Sequence, residues 1–250
     1  MKIDFKEKTA LITGATKGIG KAIAEAMFDS NANLILTGTD IKEIEYLNDF
    51  NRKKGIKNIE YIQVDFSKED SIRSFLSVID KYSQIDICVN NAGINKVANF
   101  ENTSIDDFNL VNEINLTAPY KILKIIGPKM INNDYGRVVN IASIWSVITR
   151  PGRTIYSISK NAINGLTKSI AVEWAKDNVL VNSVSPGFTL TELTKTTNTK
   201  EELDNLKNNI PIKRIANPDE IARIVCFLCS DLNTYLTGQN IIIDGGYTSI

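Results

Sequence analysis

The stretch "KTALITGATKGIGKAIAEAMFDS", residues 8–30, carries three signals in succession. "KTALIT" (8–13) is a short apolar run of strand type, and "GKAIAEAMFDS" (20–30) has helical spacing of its apolar residues. Between them "TGATKGIG" (13–20) places glycines at 14, 18 and 20. It is neither a Walker A sequence nor a G-x-G-x-x-G, which would need glycine where Ile23 stands. The physics is nevertheless that of a phosphate cradle. Gly14 permits a tight turn, and Gly18 and Gly20 let a pyrophosphate approach the backbone and the helix N-terminus. Strand, glycine turn and helix together predict a nucleotide-binding βαβ start.

The same alternation runs outward along the chain. "NLILT" (33–37), "IEYIQV" (59–64), "IDICVN" (85–90), "GRVVNIA" (136–142), "VLVNSV" (179–184) and "NIIID" (240–244) are further strand candidates, most of them separated by helical patterns. Continuously apolar strands between helices imply a parallel sheet covered on both faces. The expectation is an α/β chain, one domain over residues 1–250, doubly wound in the Rossmann manner, with seven largely parallel strands. Residues 188–210, "FTLTELTKTTNTKEELDNLKNNI", interrupt the rhythm. They read as a substrate lid, or as a polar surface loop with a short helix.

Composition excludes several function classes. With 250 residues, 43% of them hydrophobic, the chain buries a sizeable core. Lys+Arg and Asp+Glu both number 29, so no charge bias points to nucleic acid or an anionic membrane. No apolar run reaches membrane-spanning length, and "MKIDFKEKTALITG" lacks a signal-peptide pattern, which predicts a cytoplasmic protein. There is no histidine, which rules out histidine triads and histidine-ligated zinc; no metal site is expected. General acid–base work falls to Tyr, Lys, Cys, Asp or Glu. Cys226 and Cys229 form a lone CxxC in "IARIVCFLCSDL", read as two small apolar residues on a buried helix, with a redox or metal pair as the other reading.

Two further stretches bear on chemistry. At the end of the second strand, "LTGTD" (36–40), the place where an acid would bind the adenosine ribose and select NAD is Gly38, followed by Thr39 and Asp40. Lys17 is a cation suited to a 2′-phosphate. NADP is the preferred cofactor and NAD the alternative, because a small register shift would give Asp40 the ribose. In "YSISK" (156–160), Tyr156 and Lys160 are four apart and share one helical face. A tyrosine has an ordinary pKa of about 10, and bringing it to neutrality takes about 4 kcal/mol of differential interaction, of the kind a nearby ammonium supplies.

Taken in order, "TGATKGIG", "VDFS" (64–67), "NNAG" (90–93), Asn115 in "NEINL", Ser143 in "NIAS", "YSISK" and "SPGFTLT" (185–191) resemble the short-chain dehydrogenase/reductases from residue 8 to about 247. "PGFTLTELT", "PIKRIANPDEIA" and "YLTGQNIIIDGG" are most similar to the 3-oxoacyl-carrier-protein reductase branch. The resemblance implies hydride transfer between a nicotinamide cofactor and a secondary alcohol or ketone. The expected substrate is a 3-oxoacyl thioester; the alternative is a sugar or polyol derivative, and a non-catalytic dinucleotide-binding scaffold is a remote third.

It further implies that Tyr156 is the acid/base, that Lys160 lowers its pKa and holds the nicotinamide ribose, and that Ser143 holds the substrate oxygen. Asn115 supports a water-mediated proton relay. Asp65 caps the adenine and Asn91 steadies the strand beside the cofactor. Gly14, Thr16, Lys17, Gly18, Ile19, Gly20, Thr39, Asp65, Phe66, Asn91, Ala92, Gly93, Pro186, Gly187, Thr189 and Thr191 would complete the cofactor site with Tyr156 and Lys160. The family is usually tetrameric or dimeric, so a homo-oligomer is expected.

Three details are read from the residues themselves. Pro119 has no N–H, so the carbonyl of Asn115 loses its i+4 partner in "INLTAPYKILKII" and is left for a relay water, or the proline merely kinks a packed helix. "INNDYG" (131–136) and "EWAKDN" (173–178), taken as helix ends beside the cleft, carry Asp134 and Asp177, where a carrier-protein partner would favour cations. "IWSVITRPGRTI" (144–155) offers Trp145, Arg150 and Arg153 as an aromatic wall with cations for an anionic or hydroxyl-rich substrate, or as surface pairs and subunit contacts.

Overall fold

The computed structural model describes residues 2–191, 194 and 199–249. The strands are β1 (Thr9–Ile12), β2 (Asn33–Gly38), β3 (Ile59–Gln63), β4 (Ile87–Asn90), β5 (Gly136–Ile141), β6 (Val179–Pro186) and β7 (Asn240–Ile243). The helices are α1 (Gly18–Phe28), α2 (Ile41–Lys54), α3 (Glu69–Ile79), α4 (Ile105–Asn112), α5 (Ala118–Asn132), α6 (Thr154–Trp174), α7 (Lys200–Asn209) and α8 (Pro218–Cys229). The strands form one sheet ordered β3-β2-β1-β4-β5-β6-β7, and every pairing in it is parallel.

Alternation along the strands divides the core between the two faces. Ala10 and Ile12 of β1, with Ile87 and Val89 of β4, pack under Ile23 and Met27 of α1 and Ile221 and Val225 of α8. Leu11 and Cys88 point the other way, into Phe75 of α3, Ile122 and Ile126 of α5 and Ala171 of α6. Burying each such large aliphatic side chain is worth roughly 1.5–3 kcal/mol, so this layering is what fixes the register.

β4 lies beside β1 although two strands intervene in sequence. The chain winds outward through β2 and β3, returns, and winds the other way, so the loops leaving β1 and β4 diverge and open a crevice at the carboxyl edge of the sheet. The glycine turn and "NNAG" meet at this edge, joined by hydrogen bonds from Asn91 to the Thr13 and Gly14 carbonyls.

One sequence reading changes on the fold. Asp134 and Asp177 do not flank the crevice: they precede β5 and β6 at the amino edge of the sheet, where Asn178 Nδ2 donates to the Asp134 carbonyl at 2.9 Å. Helix ends that run back to the start of a parallel strand lie at the edge opposite the site. Of the segment 188–210, residues 188–191 and 194 and helix α7 are described, the latter opened by a Thr199–Glu202 capping box. Glu192, Leu193 and Lys195 to Asn198 lie outside the described residues. Among the described residues no helix is long and apolar enough to cross a membrane. Cys88, Cys226 and Cys229 are free and buried, and burial pushes their thiols up, Cys226 to about 12.

Candidate active site

The glycine turn is fixed by hydrogen bonds from β2 and β4. The Gly14 N–H donates to Thr37 Oγ1 at 3.1 Å, and Asn91 Nδ2 donates to the Thr13 and Gly14 carbonyls at 2.9 and 3.0 Å. Thr13 Oγ1 in turn accepts the N–H groups of Asn91 and Ala92 at 2.9 and 3.0 Å. A Cβ at Gly20 would land on the Gly14 carbonyl oxygen and Asn91 Nδ2, so only glycine lets the helix start this close to β4. Gly14 and Gly18 hold φ of 63° and 59°, the left-handed region. Thr16 packs against Gly38, and Ile19 leans on the core beside α1. Lys17, at the N-cap of α1, makes no side-chain cap, so the first N–H groups of a long helix face the crevice with no side-chain acceptor. The chemistry of this donor set fits a dinucleotide pyrophosphate.

The other expected cofactor residues line the same edge. Asp65 accepts from Ser67 N–H and Oγ at 3.0 and 2.6 Å, and these bonds hold its carboxyl below the usual range. Phe66 is there by its backbone only, since its ring is buried edge-on against Phe75 at 5.8 Å. Thr39 is exposed, and its carbonyl accepts from Gln63 Nε2. Asp40 caps α2, accepting from the Lys42 and Glu43 N–H groups at 2.9 and 3.3 Å. Lys17 is exposed and without an ion pair among the described residues. Pro186 ends β6, and Gly187 N–H donates to the Ile243 carbonyl at 2.8 Å. Thr189 Oγ1 bonds the Gly187 carbonyl, and Thr191 approaches the glycine turn so closely that a Cβ at Gly18 would meet its Cγ2 at 3.3 Å.

The four candidate catalytic residues converge. β5 delivers Ser143, and α6 delivers Tyr156 and Lys160 on one face. Lys160 is 4% exposed; its Nζ donates to the Ile141 carbonyl at 2.7 Å and lies 5.6 Å from the Tyr156 ring centre. Burial lowers Lys160 to about 8. Asn115 Oδ1 accepts the Ile94 N–H, and Nδ2 donates to the Ile94 carbonyl, both at 2.9 Å, and to Ser159 Oγ at 3.0 Å. Gly93 passes over them: a Cβ there would sit 3.2 Å from Asn115 Oδ1 and 3.4 Å from Lys160 Nζ.

Tyr156 differs from the sequence expectation. Its phenol is raised, not lowered: burial dominates, and the Ser143 hydroxyl and the Arg153 charge oppose it. Counting a neighbouring cation gives the wrong direction because it omits the cost of enclosing a phenolate in protein.

The helix around Asn115 also differs. Residues Glu113–Thr117 form a π-turn, in which the Ala118 N–H donates to the Glu113 carbonyl. Pro119 thus falls in the first turn of α5, where proline is tolerated. It offers no N–H to Asn115 at i+4 or to Ile114 at i+5.

Beyond Ser143 stands an aromatic rim. Trp145 meets Phe188 edge-on at 6.2 Å, and Phe188 meets Tyr247 at 5.2 Å. Arg150 and Arg153 both lie over the Trp145 ring, at 5.1 and 5.6 Å.

Comparison with known proteins decides the family. The chain matches the family described as "Enoyl-(Acyl carrier protein) reductase" over residues 14–248. It is 37% identical, over 248 residues, to the 3-oxoacyl-[acyl-carrier-protein] reductase FabG of Aquifex aeolicus, covering 98% of this chain and 99% of that protein. The chain belongs to the short-chain dehydrogenase/reductase family. It is also 37% identical to the NAD-dependent glycerol dehydrogenase of Listeria innocua, over 98% of this chain and 95% of that one. Its fold superposes with a TM-score of 0.90 on a gluconate 5-dehydrogenase from Burkholderia cenocepacia in complex with NADP and tartrate, at 27% identity, covering 99% and 97% of the two chains. As a short-chain dehydrogenase/reductase it is an oxidoreductase acting on CH–OH or C=O groups with a nicotinamide dinucleotide.

In this dehydrogenase/reductase some supporting residues escape a sequence reading. Ser159, fully buried, takes the Asn115 amide and donates to the Tyr156 carbonyl at 2.8 Å, tying the π-turn to α6. Asn90 Nδ2 donates to Asn140 Oδ1 at 2.7 Å, and Asn140 Nδ2 to Thr167 Oγ1 at 2.8 Å, locking β4, β5 and α6 beneath the site. The available signal was polar residues inside strongly apolar strands, "ICVNN" and "RVVNIA".

Proposed function

We propose that the chain catalyses reversible hydride transfer between NADP(H) and a secondary alcohol or ketone, using Ser143, Tyr156, Lys160 and Asn115. The convergence of these four at the end of β5 and the start of α6 carries the reading. When bound, the nicotinamide would supply or accept the hydride. In reduction Tyr156 gives its proton to the substrate oxygen, which Ser143 holds. Lys160 keeps its charge below about pH 8 and so faces the phenol as a cation at neutral pH. The Asn115 amide is fully engaged with Ile94 and Ser159, so its role in proton resupply falls to the backbone carbonyl that Pro119 cannot serve.

NADP is preferred over NAD because Gly38 has no side chain to bind the ribose, Asp40 is committed to capping α2, and Lys17 is free for a 2′-phosphate. The segment 188–210 acts as a lid, anchored where Thr189 bridges to Ala216. The chain works in the cytoplasm as a homo-oligomer. The edge strand β7, with Ile242 39% exposed, is the surface that association would cover.

Likeness to the Aquifex reductase supports a 3-oxoacyl thioester as substrate. A specific observation favours the second reading, a sugar or polyol derivative: two guanidinium groups at the rim without carboxylate partners among the described residues. NADPH and NADH oxidation followed with acetoacetyl thioesters and keto-sugars separates them. Activity on thioesters alone removes the sugar reading; activity on keto-sugars alone removes the thioester.

A further inference from the structure

The sequence Arg150-Pro151-Gly152-Arg153 builds a specific turn. Pro151 fixes φ near −65°, and Gly152 takes φ of 80°, the central pair of a type II turn, whose end residues approach within about 7 Å. The turn is wedged in place: a Cβ at Gly152 would meet Val97 Cγ1 at 3.2 Å. Two like charges are thereby held on one indole. No carboxylate pairs with either among the described residues, and Arg153 Nε is buried without a hydrogen-bond partner. Burial and the neighbouring Arg150 charge both push Arg153 down from its ordinary pKa.

Stacking on the indole occupies the guanidinium faces and leaves the N–H edges free, the fork that matches a planar oxyanion. Arg153 is also the N-cap of α6, one turn before Tyr156, and that helix start carries no side-chain cap. The Arg153 charge acts on the Tyr156 phenol, so an anion held there sits beside the proton donor. The phosphate of a carrier thioester, at the far end of its pantetheine arm, does not reach that place while its carbonyl is at Tyr156.

We propose that Arg150 and Arg153 on Trp145 receive a carboxylate carried by the substrate close to its reacting carbon, so that the enzyme acts on hydroxy and keto acids in preference to neutral alcohols and acyl thioesters. This rests on the hydride-transfer reading above and narrows its substrate class. A phosphate ester near the reacting carbon would use the same chemistry, and the assay separates the two.

The test compares kcat/KM for a panel of hydroxy acids with their amides, with sugar phosphates and with acetoacetyl thioesters. The acid is expected to lead its amide by roughly 10- to 100-fold, the worth of hydrogen bonds to a charged group. Arg150→Gln and Arg153→Gln should each erase most of that lead, chiefly through KM, and Arg153→Lys should restore part of it. Independently, malonate added to the NADP-loaded enzyme should quench tryptophan fluorescence saturably, and Arg153→Gln should abolish the effect. Equal rates on acid and amide, equal losses on both in the variants, or preference for phosphate or thioester would overturn the proposal. So would arginine variants that dissociate the oligomer while malonate leaves the fluorescence unchanged. Ketone turnover without acid preference sinks this inference and spares the hydride-transfer reading. No turnover of any alcohol or ketone sinks that reading, and the malonate titration then decides the anion site alone.

Discussion

Thr13, Thr37 and Asn91, around the loops that leave β1 and β4, direct their side chains into the backbone of the crevice itself, while the turn at residues 150–153 holds two guanidinium groups that have no carboxylate partner among the described residues. Both regions face the same crevice. The first is complete within the chain: its shape is set by short contacts among glycines, threonines and one asparagine, and only the helix-end N–H groups look outward. The second is incomplete among the described residues, with charge held on an aromatic ring and a buried Nε unmatched. A cofactor common to a whole family needs a rigid cradle; a substrate is met by groups whose partner arrives with it.

The largest effect should come from breaking the rigid side. Gly20→Ala drives a methyl into the Gly14 carbonyl and the Asn91 amide, neither of which is a flexible chain end. Loss of dinucleotide binding by fluorescence titration, with destabilisation of about 1–3 kcal/mol, is expected. Near-normal affinity would show that the cradle yields.

Lys160→Met should come next, cutting kcat by about 10²- to 10⁴-fold while altering stability in a pH-dependent way. Folded Lys160 titrates at about 8, below the unfolded value of about 10.4. Between those values the unfolded chain holds the extra proton, so wild-type stability gains from this lysine as pH rises. Below about pH 8 both states are protonated and the full burial cost, on the order of 3 kcal/mol, is felt. Urea unfolding should therefore find the variant more stable than wild type at pH 7, by less than that because the Ile141 carbonyl loses its donor, with the advantage shrinking toward pH 10. An advantage independent of pH would contradict the burial argument.

Asp40→Ala is the mildest. If Asp40 only caps α2, stability drops by about 1 kcal/mol and the ratio of NADPH to NADH use stays put. A marked change of that ratio would reassign Asp40 to the ribose.

Much of the fold was legible in the sequence because apolar runs and glycine punctuation are local signals: each expected strand is found within two residues of its expected ends. Tyr156 and Lys160 were legible as a pair one turn apart on a single helix, and their candidate catalytic role came from the resemblance carried by the whole set of motifs. What was not legible depends on tertiary surroundings. Pro119 reads as a break inside a helix, whereas the irregularity is absorbed before it in the π-turn at Glu113–Thr117. Asp134 and Asp177 read as neighbours of the cleft until the parallel strands place them at the other edge. The raised phenol of Tyr156 comes from enclosure, which residue spacing does not record. Arg150 and Arg153 were visible as residues, but that no acid among the described residues pairs with them is a fact of packing.

The central claim is that Tyr156 supplies the proton in a hydride transfer, its hydroxyl mattering far more to turnover than to cofactor affinity. Tyr156→Phe, assayed beside wild type for NADPH binding and for NADPH consumption with a panel of keto acids and ketones, tests this most directly. The expected result is undiminished NADPH affinity with turnover lost by about 10²-fold or more. Turnover in the variant close to wild type, with binding intact, would contradict it.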